Sequence, residues 1–296
     1  MPDSLAQQLA SIPEDKLKMF AQLLERAKLT TRSEAAQQDF LDFTRLVWPE
    51  FIGGMHHTRM AAAFRKIATG ESKRLIINMP PRHTKSEFSS YLLPAWLIGR
   101  RPALKIIQTT HTAELAVRFG RKVRNLMDTE EYKSIFPKVQ LRADSKAAGR
   151  WETGNGGEYF AAGVGGAITG RGADLLIIDD PHSEQDALSP SALENAYEWY
   201  TSGPRQRLQP GGAIVIVMTR WAENDLTGKL IRHQARDILS DQWEVIEFPA
   251  IMPDNEPVWP EFWNKKDLLS VKGSLSVAKW EAQWQQNPTS ETAAIL

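Results

Sequence analysis

The spacing of apolar positions changes character three times along the chain. Up to about residue 30 it is helical: Leu17, Phe20, Leu23, Leu24 and Ala27 share one side, and Ser11 with Pro13 supplies a start signal. That face predicts an amphipathic helix, either packed on a main domain or serving as a docking arm. The polar stretch 30–38 reads as a linker. From about residue 40 short apolar runs alternate with longer amphipathic stretches, the mark of an α/β domain with a mostly parallel central sheet flanked by helices. Strands are predicted at 74–79, 104–109, 158–161, 174–179, 213–219 and 244–248. Helices are predicted at 56–69, 86–99, 112–127, 190–202 and 223–234, with Pro94 kinking or ending the second of them. The stretch 163–172 is too rich in glycine for a regular element and reads as a mobile loop. After residue 250 the pattern breaks up. Trp259, Trp263, Trp280 and Trp284 lie among prolines and short helices, as packing anchors of a small C-terminal subdomain rather than a base-stacking surface. The expected division is therefore an N-terminal helical segment and linker at 1–38, a core at 39–250 and a C-terminal subdomain at 251–296.

Composition narrows the class. Of 296 residues, 42% are hydrophobic and 24% charged, enough apolar material for an ample core. No apolar run reaches the ~18 residues of a membrane span, and Met1-Pro2-Asp3-Ser4 does not begin a signal peptide. Cysteine is absent, which excludes disulfides and thiolate metal sites and fits an intracellular protein. Lys+Arg and Asp+Glu balance at 36 each, so contact with nucleic acid must come from a local patch or from several subunits together. The histidines show no metal-ligand spacing.

Three apolar runs end in residues that carry chemistry. Arg74-Leu75-Ile76-Ile77-Asn78 leads through Met79-Pro80-Pro81-Arg82-His83-Thr84-Lys85-Ser86 into a helix. This is the layout of a phosphate-binding P-loop, with Met79 and Thr84 where the pattern has glycines. In the candidate nucleotide-binding loop Pro81–Ser86, backbone N–H groups of 82–86 at the helix start, Lys85 for the β- and γ-phosphates and the Ser86 hydroxyl for Mg²⁺ supply the physics of ATP binding. Thr84 is β-branched and is expected at negative φ. Asp174-Leu175-Leu176-Ile177-Ile178-Asp179-Asp180 is apolar throughout, as a strand buried on both faces is, and delivers two carboxylates to the sheet edge where nucleotides bind. Asp179 would hold Mg²⁺ and Asp180 would orient the attacking water. The run Ala213-Ile214-Val215-Ile216-Val217-Met218 ends in Thr219-Arg220, a hydroxyl and a guanidinium placed to sense a γ-phosphate.

Together, Pro80–Ser86, Ile178-Asp179-Asp180-Pro181 and Thr219-Arg220-Trp221 resemble the ATPase domain of large terminase subunits, the DNA-packaging motors of tailed bacteriophages. Gly170-Arg171-Gly172-Ala173-Asp174, Arg118-Phe119-Gly120-Arg121 and Gln283-Trp284-Gln285-Gln286-Asn287-Pro288 also resemble that family, so the similarity runs from about Phe40 to Pro288. The resemblance implies a RecA-like fold of the additional-strand type, Mg²⁺-ATP hydrolysis, and translocation of double-stranded DNA into a procapsid in the host cell cytoplasm. It also implies a homo-oligomeric ring on the portal protein, fed by a small terminase subunit, from a chain that is a monomer in isolation. Within it Lys85 matches the Walker A lysine, Ser86 the Mg²⁺ ligand, Asp179 the Walker B aspartate and Thr219 the coupling motif. Asp180 stands where the family often has glutamate, and Glu184 is the reserve catalytic acid. The resemblance places Arg82 at the γ-phosphate, Arg171 as a finger reaching a neighbouring subunit's site, and His56 and His57 near the adenine, their alternative being helix capping or exposure. It leaves no room for the nuclease domain of large terminases, so no DNA cleavage is expected of this chain.

Two other readings stay open. Asp-Asp-Pro-His is similar to the Walker B motif of DEAD/DEAH helicases, but those need a second RecA-like domain and only about 75 residues follow Thr219-Arg220. A non-catalytic assembly protein with a degenerate P-loop is favoured by the missing glycines and opposed by the intact Lys85, Ser86, Asp179 and Asp180.

Overall fold

The computed structural model describes residues 13–168 and 170–289. Ser11, Thr169 within the glycine-rich stretch, and 290–296 fall outside the described residues. Eight strands form one sheet: β1 Arg74–Asn78, β2 Lys105–Thr110, β3 Leu141–Ala147, β4 Arg150–Thr153, β5 Glu158–Gly163, β6 Ala173–Asp179, β7 Leu208–Met218 and β8 Glu244–Glu247. Their spatial order is β3-β4-β5-β2-β6-β7-β1-β8. From β5 to β8 every pairing is parallel; β3 and β4 are appended antiparallel at one side. β7 therefore lies between the strand that leads into Lys85 and the strand that ends in Asp179. That inserted strand is the signature of the additional-strand type of RecA-like P-loop NTPase fold.

The central strands are apolar on both faces because both faces are covered. Side chains alternate between two cores with the period of the pleat. Leu75, Ile77, Leu175, Ile177, Val215 and Val217 enter one core; Ile76, Leu176, Ile178, Ile214, Ile216 and Met218 enter the other. Register then fixes the edge: Asn78 pairs with Met218, Asp179 with Val217, and Thr110 with Asp179. All the chemistry-bearing residues that follow β1, β6 and β7 must emerge there, side by side.

Several expectations change. The N-terminal helix runs without a break through Glu14–Gln38, so 30–38 is helix rather than linker. Its last turn is fastened to the core: Ala36 is fully buried, its carbonyl accepts the Trp96 indole N–H, and Gln37 donates to the Ile135 carbonyl at 2.5 Å. Earlier in the same helix Met19, Phe20, Leu23, Leu24 and Leu29 are exposed. β3 and β4 are unanticipated, since Leu-Arg-Ala-Asp-Ser-Lys-Ala carries little apolar signal; they are held by Trp151 stacked on Tyr159 at 4.8 Å. Pro94 does not end the helix after the P-loop. A π-helical turn over Glu87–Leu92 precedes it, and Pro94 sits in the first turn of Leu93–Arg100, where its missing N–H is tolerated.

The segment after residue 250 packs directly on the core. Val258 and Trp259 belong to the first core, while Ala250, Leu268, Trp280 and Trp284 form a third cluster of their own. Trp259, Trp280 and Trp284 are buried, as packing anchors are.

Candidate active site

The loop 79–86 turns from β1 into the π-helical turn through two residues at positive φ, Arg82 at 62° and Thr84 at 65°. The expectation of negative φ at Thr84 is thus overturned: at the second glycine position of the pattern the loop takes the left-handed backbone a glycine would favour, with a β-branched residue held in it. The Thr84 hydroxyl donates to the His83 carbonyl at 2.5 Å and lies 2.7 Å from His57 Nε2. His83 is buried, donates from Nδ1 to the Pro81 carbonyl at 2.8 Å, and stacks on Trp263 at 5.9 Å. The C-terminal segment therefore walls the back of the loop. Arg82, at the tip, is exposed.

Lys85, Ser86, Asp179, Asp180 and Thr219 come together as the strand ends require. Lys85 Nζ meets Asp180 Oδ2 at 2.9 Å. Burial alone would depress the Lys85 ammonium, but Asp180 and Asp179 hold it above the ordinary lysine value. Asp179 Oδ1 accepts from Ser86 Oγ at 3.0 Å, and Oδ2 from Ser90 Oγ at 2.7 Å. Burial, reinforced by the Asp180 charge, pushes the Asp179 carboxyl above the usual carboxylate range, against the pull of Lys85 and the two hydroxyls. Asp180 has φ 42°, and its Oδ1 accepts the Thr219 backbone N–H at 2.9 Å. The Thr219 hydroxyl donates to the Met79 carbonyl at 3.2 Å. One threonine thus ties the start of the P-loop to the carboxylate after β6.

The tie continues outward. The Arg220 N–H donates to Gln286 Oε1 at 3.1 Å, and its guanidinium pairs with the fully buried Asp225 at 2.9 Å. Asp225 also caps the helix Leu226–Arg236 by accepting from Gly228 N–H. Sequence reading missed Ser90 and Asp225 as contributors; it named Gln286 only within the 283–288 motif, and His57 for the adenine or for helix capping rather than for the loop. Ser90 alone had a usable signal, one helical turn beyond Ser86 on the same face.

The other sequence-predicted residues lie apart from this cluster. Glu184 pairs with Lys279 at 2.9 Å, both exposed, on the rim of a groove of about 950 Å³. Arg171 is ion-paired with Glu158 and lies 4.0 Å over the Phe160 ring. Glu158 begins β5, so Arg171 sits at the amino-terminal edge of the sheet, the far side from Lys85. At ~3.3 Å per residue, the seven residues of β6 put roughly 20 Å between those edges. His56 and His57 are buried, not exposed. His57 Nδ1 accepts the Gly54 N–H at 2.9 Å, which caps the helix Met55–Thr69.

Ser86, Asp179 and Ser90 present hydroxyl and carboxylate oxygens, the hard donors that Mg²⁺ takes. The raised Asp179 carboxyl is a place where a divalent cation would relieve the repulsion between buried Asp179 and half-buried Asp180. Among the described residues no group of three or more His, Asp or Glu holds a metal unaided.

No family model matches the sequence, and no curated protein matches it. Solved structures do. The large terminase ATPase domain of Thermus phage P74-26, as a mutant, aligns at 12% identity and TM-score 0.53, over 83% of this chain and 98% of that one. The large terminase of bacteriophage HK97 aligns at 13% and 0.52, over 79% of this chain and 50% of that one. The large terminase of another thermophilic bacteriophage aligns at 11% and 0.53, over 79% and 54%. The alignment thus spans about half the length of the latter two. At these identities the likeness is one of fold: the chain folds as large terminase ATPase domains do.

Proposed function

We propose that this chain is the ATPase motor domain of a phage large terminase. It hydrolyses Mg²⁺-ATP and couples the reaction to translocation of double-stranded DNA into a procapsid in the host cytoplasm. It works as a homo-oligomeric ring on the portal, supplied by a small terminase subunit. The observation that carries the reading is the meeting of three neighbouring strand ends on one cluster: Lys85 and Ser86 after β1, Asp179 and Asp180 at the end of β6, Thr219 after β7.

In this reading Lys85 moves from Asp180 to the β- and γ-phosphates as ATP enters, which frees Asp180 Oδ2 to accept a proton from the attacking water. Ser86 and Asp179 would hold Mg²⁺, which when bound would supply positive charge against the phosphates. Thr219 reports the state of Asp180 to Arg220 and, through Gln286, to the C-terminal segment. Arg82 is free at the loop tip to meet the γ-phosphate. Asp180, already bonded to Lys85 and Thr219, is the better placed acid than Glu184. Arg171 faces away from its own subunit's site, which supports action in trans. The test is Mg²⁺-dependent ATP hydrolysis across protein concentrations, beside Lys85→Ala. Turnover that rises more than linearly with protein and is lost in the variant is expected; turnover that survives Lys85→Ala refutes the reading.

A further inference from the structure

We propose that His57 is a positioning residue for the phosphate-binding loop, holding Thr84 in the left-handed conformation through a hydrogen bond from Nε2–H to the Thr84 hydroxyl. The inference rests on reading 79–86 as a phosphate-binding loop. Thr84 at φ 65° is a β-branched residue in a region that favours glycine, so its surroundings must over-determine it. The structure supplies two restraints on the one hydroxyl: donation to the His83 carbonyl at 2.5 Å, and His57 Nε2 at 2.7 Å.

The direction of the second bond is fixed. His57 Nδ1 accepts the Gly54 N–H at 2.9 Å. The ring is 1% exposed and, through burial and then the nearby His56 and His83, its pKa is lowered to about 2, so it is neutral. A neutral imidazole that accepts at Nδ1 carries its proton on Nε2. The relay therefore runs Gly54 N–H to His57, His57 to Thr84, and Thr84 to the His83 carbonyl. The ring has no other place to go: Phe51, Phe88 and Trp259 surround it at 4.8, 4.6 and 5.0 Å between centroids. The first turn of helix Met55–Thr69 thus braces the turn from which the Lys85 and Ser86 N–H groups are presented. In place of a glycine free to take positive φ, the chain uses a threonine pinned there.

A brace of this kind predicts an interaction between two positions that a packing role does not. The experiment is Mg²⁺-ATP titration of the full chain as wild type, Lys85→Ala, His57→Phe, His57→Gln, and His57→Phe with and without Thr84→Gly. His57→Phe keeps a ring but removes both the Nε2 donor to Thr84 and the Nδ1 acceptor of the Gly54 N–H; losing the bond to Thr84 is expected to weaken binding about tenfold. His57→Gln returns an N–H near the Nε2 position and is expected to recover most of that loss. In the Thr84→Gly background, where positive φ needs no brace, His57→Phe is expected to change binding less than about twofold. Should His57→Phe fail to fold, Thr84→Val removes that bond together with the one to the His83 carbonyl and is expected to weaken binding at least as much. A His57→Phe loss equal in both backgrounds, or no loss in either, overturns the proposal while Lys85→Ala still shows the loop binding ATP. Equal binding by wild type and Lys85→Ala overturns the phosphate-loop reading itself, and the brace with it.

Discussion

The three histidines behind the P-loop make the protein's stability depend on pH in a way that can be worked out in advance. His56, His57 and His83 are buried. Burial is the main cause that lowers their pKa values from 6.5 to about 3, 2 and 4; mutual repulsion among the rings adds to it at His56 and His57, and the Lys85 charge at His83. In the unfolded chain each takes up a proton near pH 6.5, while in the folded chain none does until far lower. Stability from these rings is therefore fully present above pH 6.5 and falls as pH drops towards 4. Each contributes about 1.4 kcal/mol per pH unit. Three rings over the roughly 1.5 units from pH 6.5 to 5 amount to about 6 kcal/mol.

Asp179 works the other way. Its folded pKa is raised by burial and by Asp180, so the folded state binds a proton that the unfolded state lacks, and its contribution grows as pH falls. Over the same interval this returns at most about 2 kcal/mol. The net expectation is a loss of about 4 kcal/mol, a large share of the ~5–15 kcal/mol typical of a folded domain. At two to four degrees per kcal/mol the thermal midpoint falls by about 10 °C. Urea unfolding at a series of pH values, followed through tryptophan fluorescence, measures it. Stability that is level or rising from pH 6.5 down to 5 refutes the argument. So does an NMR titration in which any of these three rings becomes imidazolium near pH 6.5 in the folded protein.

Further outcomes follow from the site. Asp225→Ala leaves the buried Arg220 guanidinium with only the half-exposed Glu247 carboxylate at 3.6 Å and removes a helix cap; a loss of about 3 kcal/mol in urea unfolding is expected, and a loss under about 1 kcal/mol contradicts the account of that pair. Ser90→Ala deprives Asp179 of one hydroxyl donor, so its proton is released at higher pH. The pH midpoint of Mg²⁺-dependent nucleotide binding should rise, and a fall or no change counts against Asp179 as the metal carboxylate. Arg171→Ala should cut turnover in the assembled ring by a factor of ~10³ or more, the scale of an arginine finger, and leave the slow dilute monomer no slower. A large loss in the dilute monomer would place that arginine in its own subunit's site.

What could be read from the sequence follows from how parallel sheets bury their strands. Leu175-Leu176-Ile177-Ile178 and Ile214-Val215-Ile216-Val217 are uninterrupted because both faces are covered, so their ends, and the polar residues just beyond them, stood out. Lys85, Ser86, Asp179, Asp180 and Thr219 were found because each follows such an end. The order of the strands is a long-range property with no local signal, so β7 between β1 and β6 was implied only by the family resemblance and not by the pattern itself. The two polar strands β3 and β4 lacked the signal altogether. Backbone conformation at Thr84 was misjudged for a related reason. Intrinsic preference argued for negative φ, and the hydrogen bond that overrides it comes from His57, 27 residues earlier in the chain.

Arg171 carries the sharper lesson, because its position was implicit in the sequence all along. It lies two residues ahead of the strand that ends in Asp179, and closeness in sequence invites placing it beside that aspartate. Yet a strand parallel to its predecessor is entered from the opposite edge of the sheet. The chain leaves β5 at the nucleotide edge, crosses back through 164–172 and enters β6 at the other. An arginine just before β6 is therefore a full strand length from the carboxylates just after it, and its guanidinium is already satisfied by Glu158 and Phe160. The same strand that places Asp179 and Asp180 at the P-loop removes Arg171 from it.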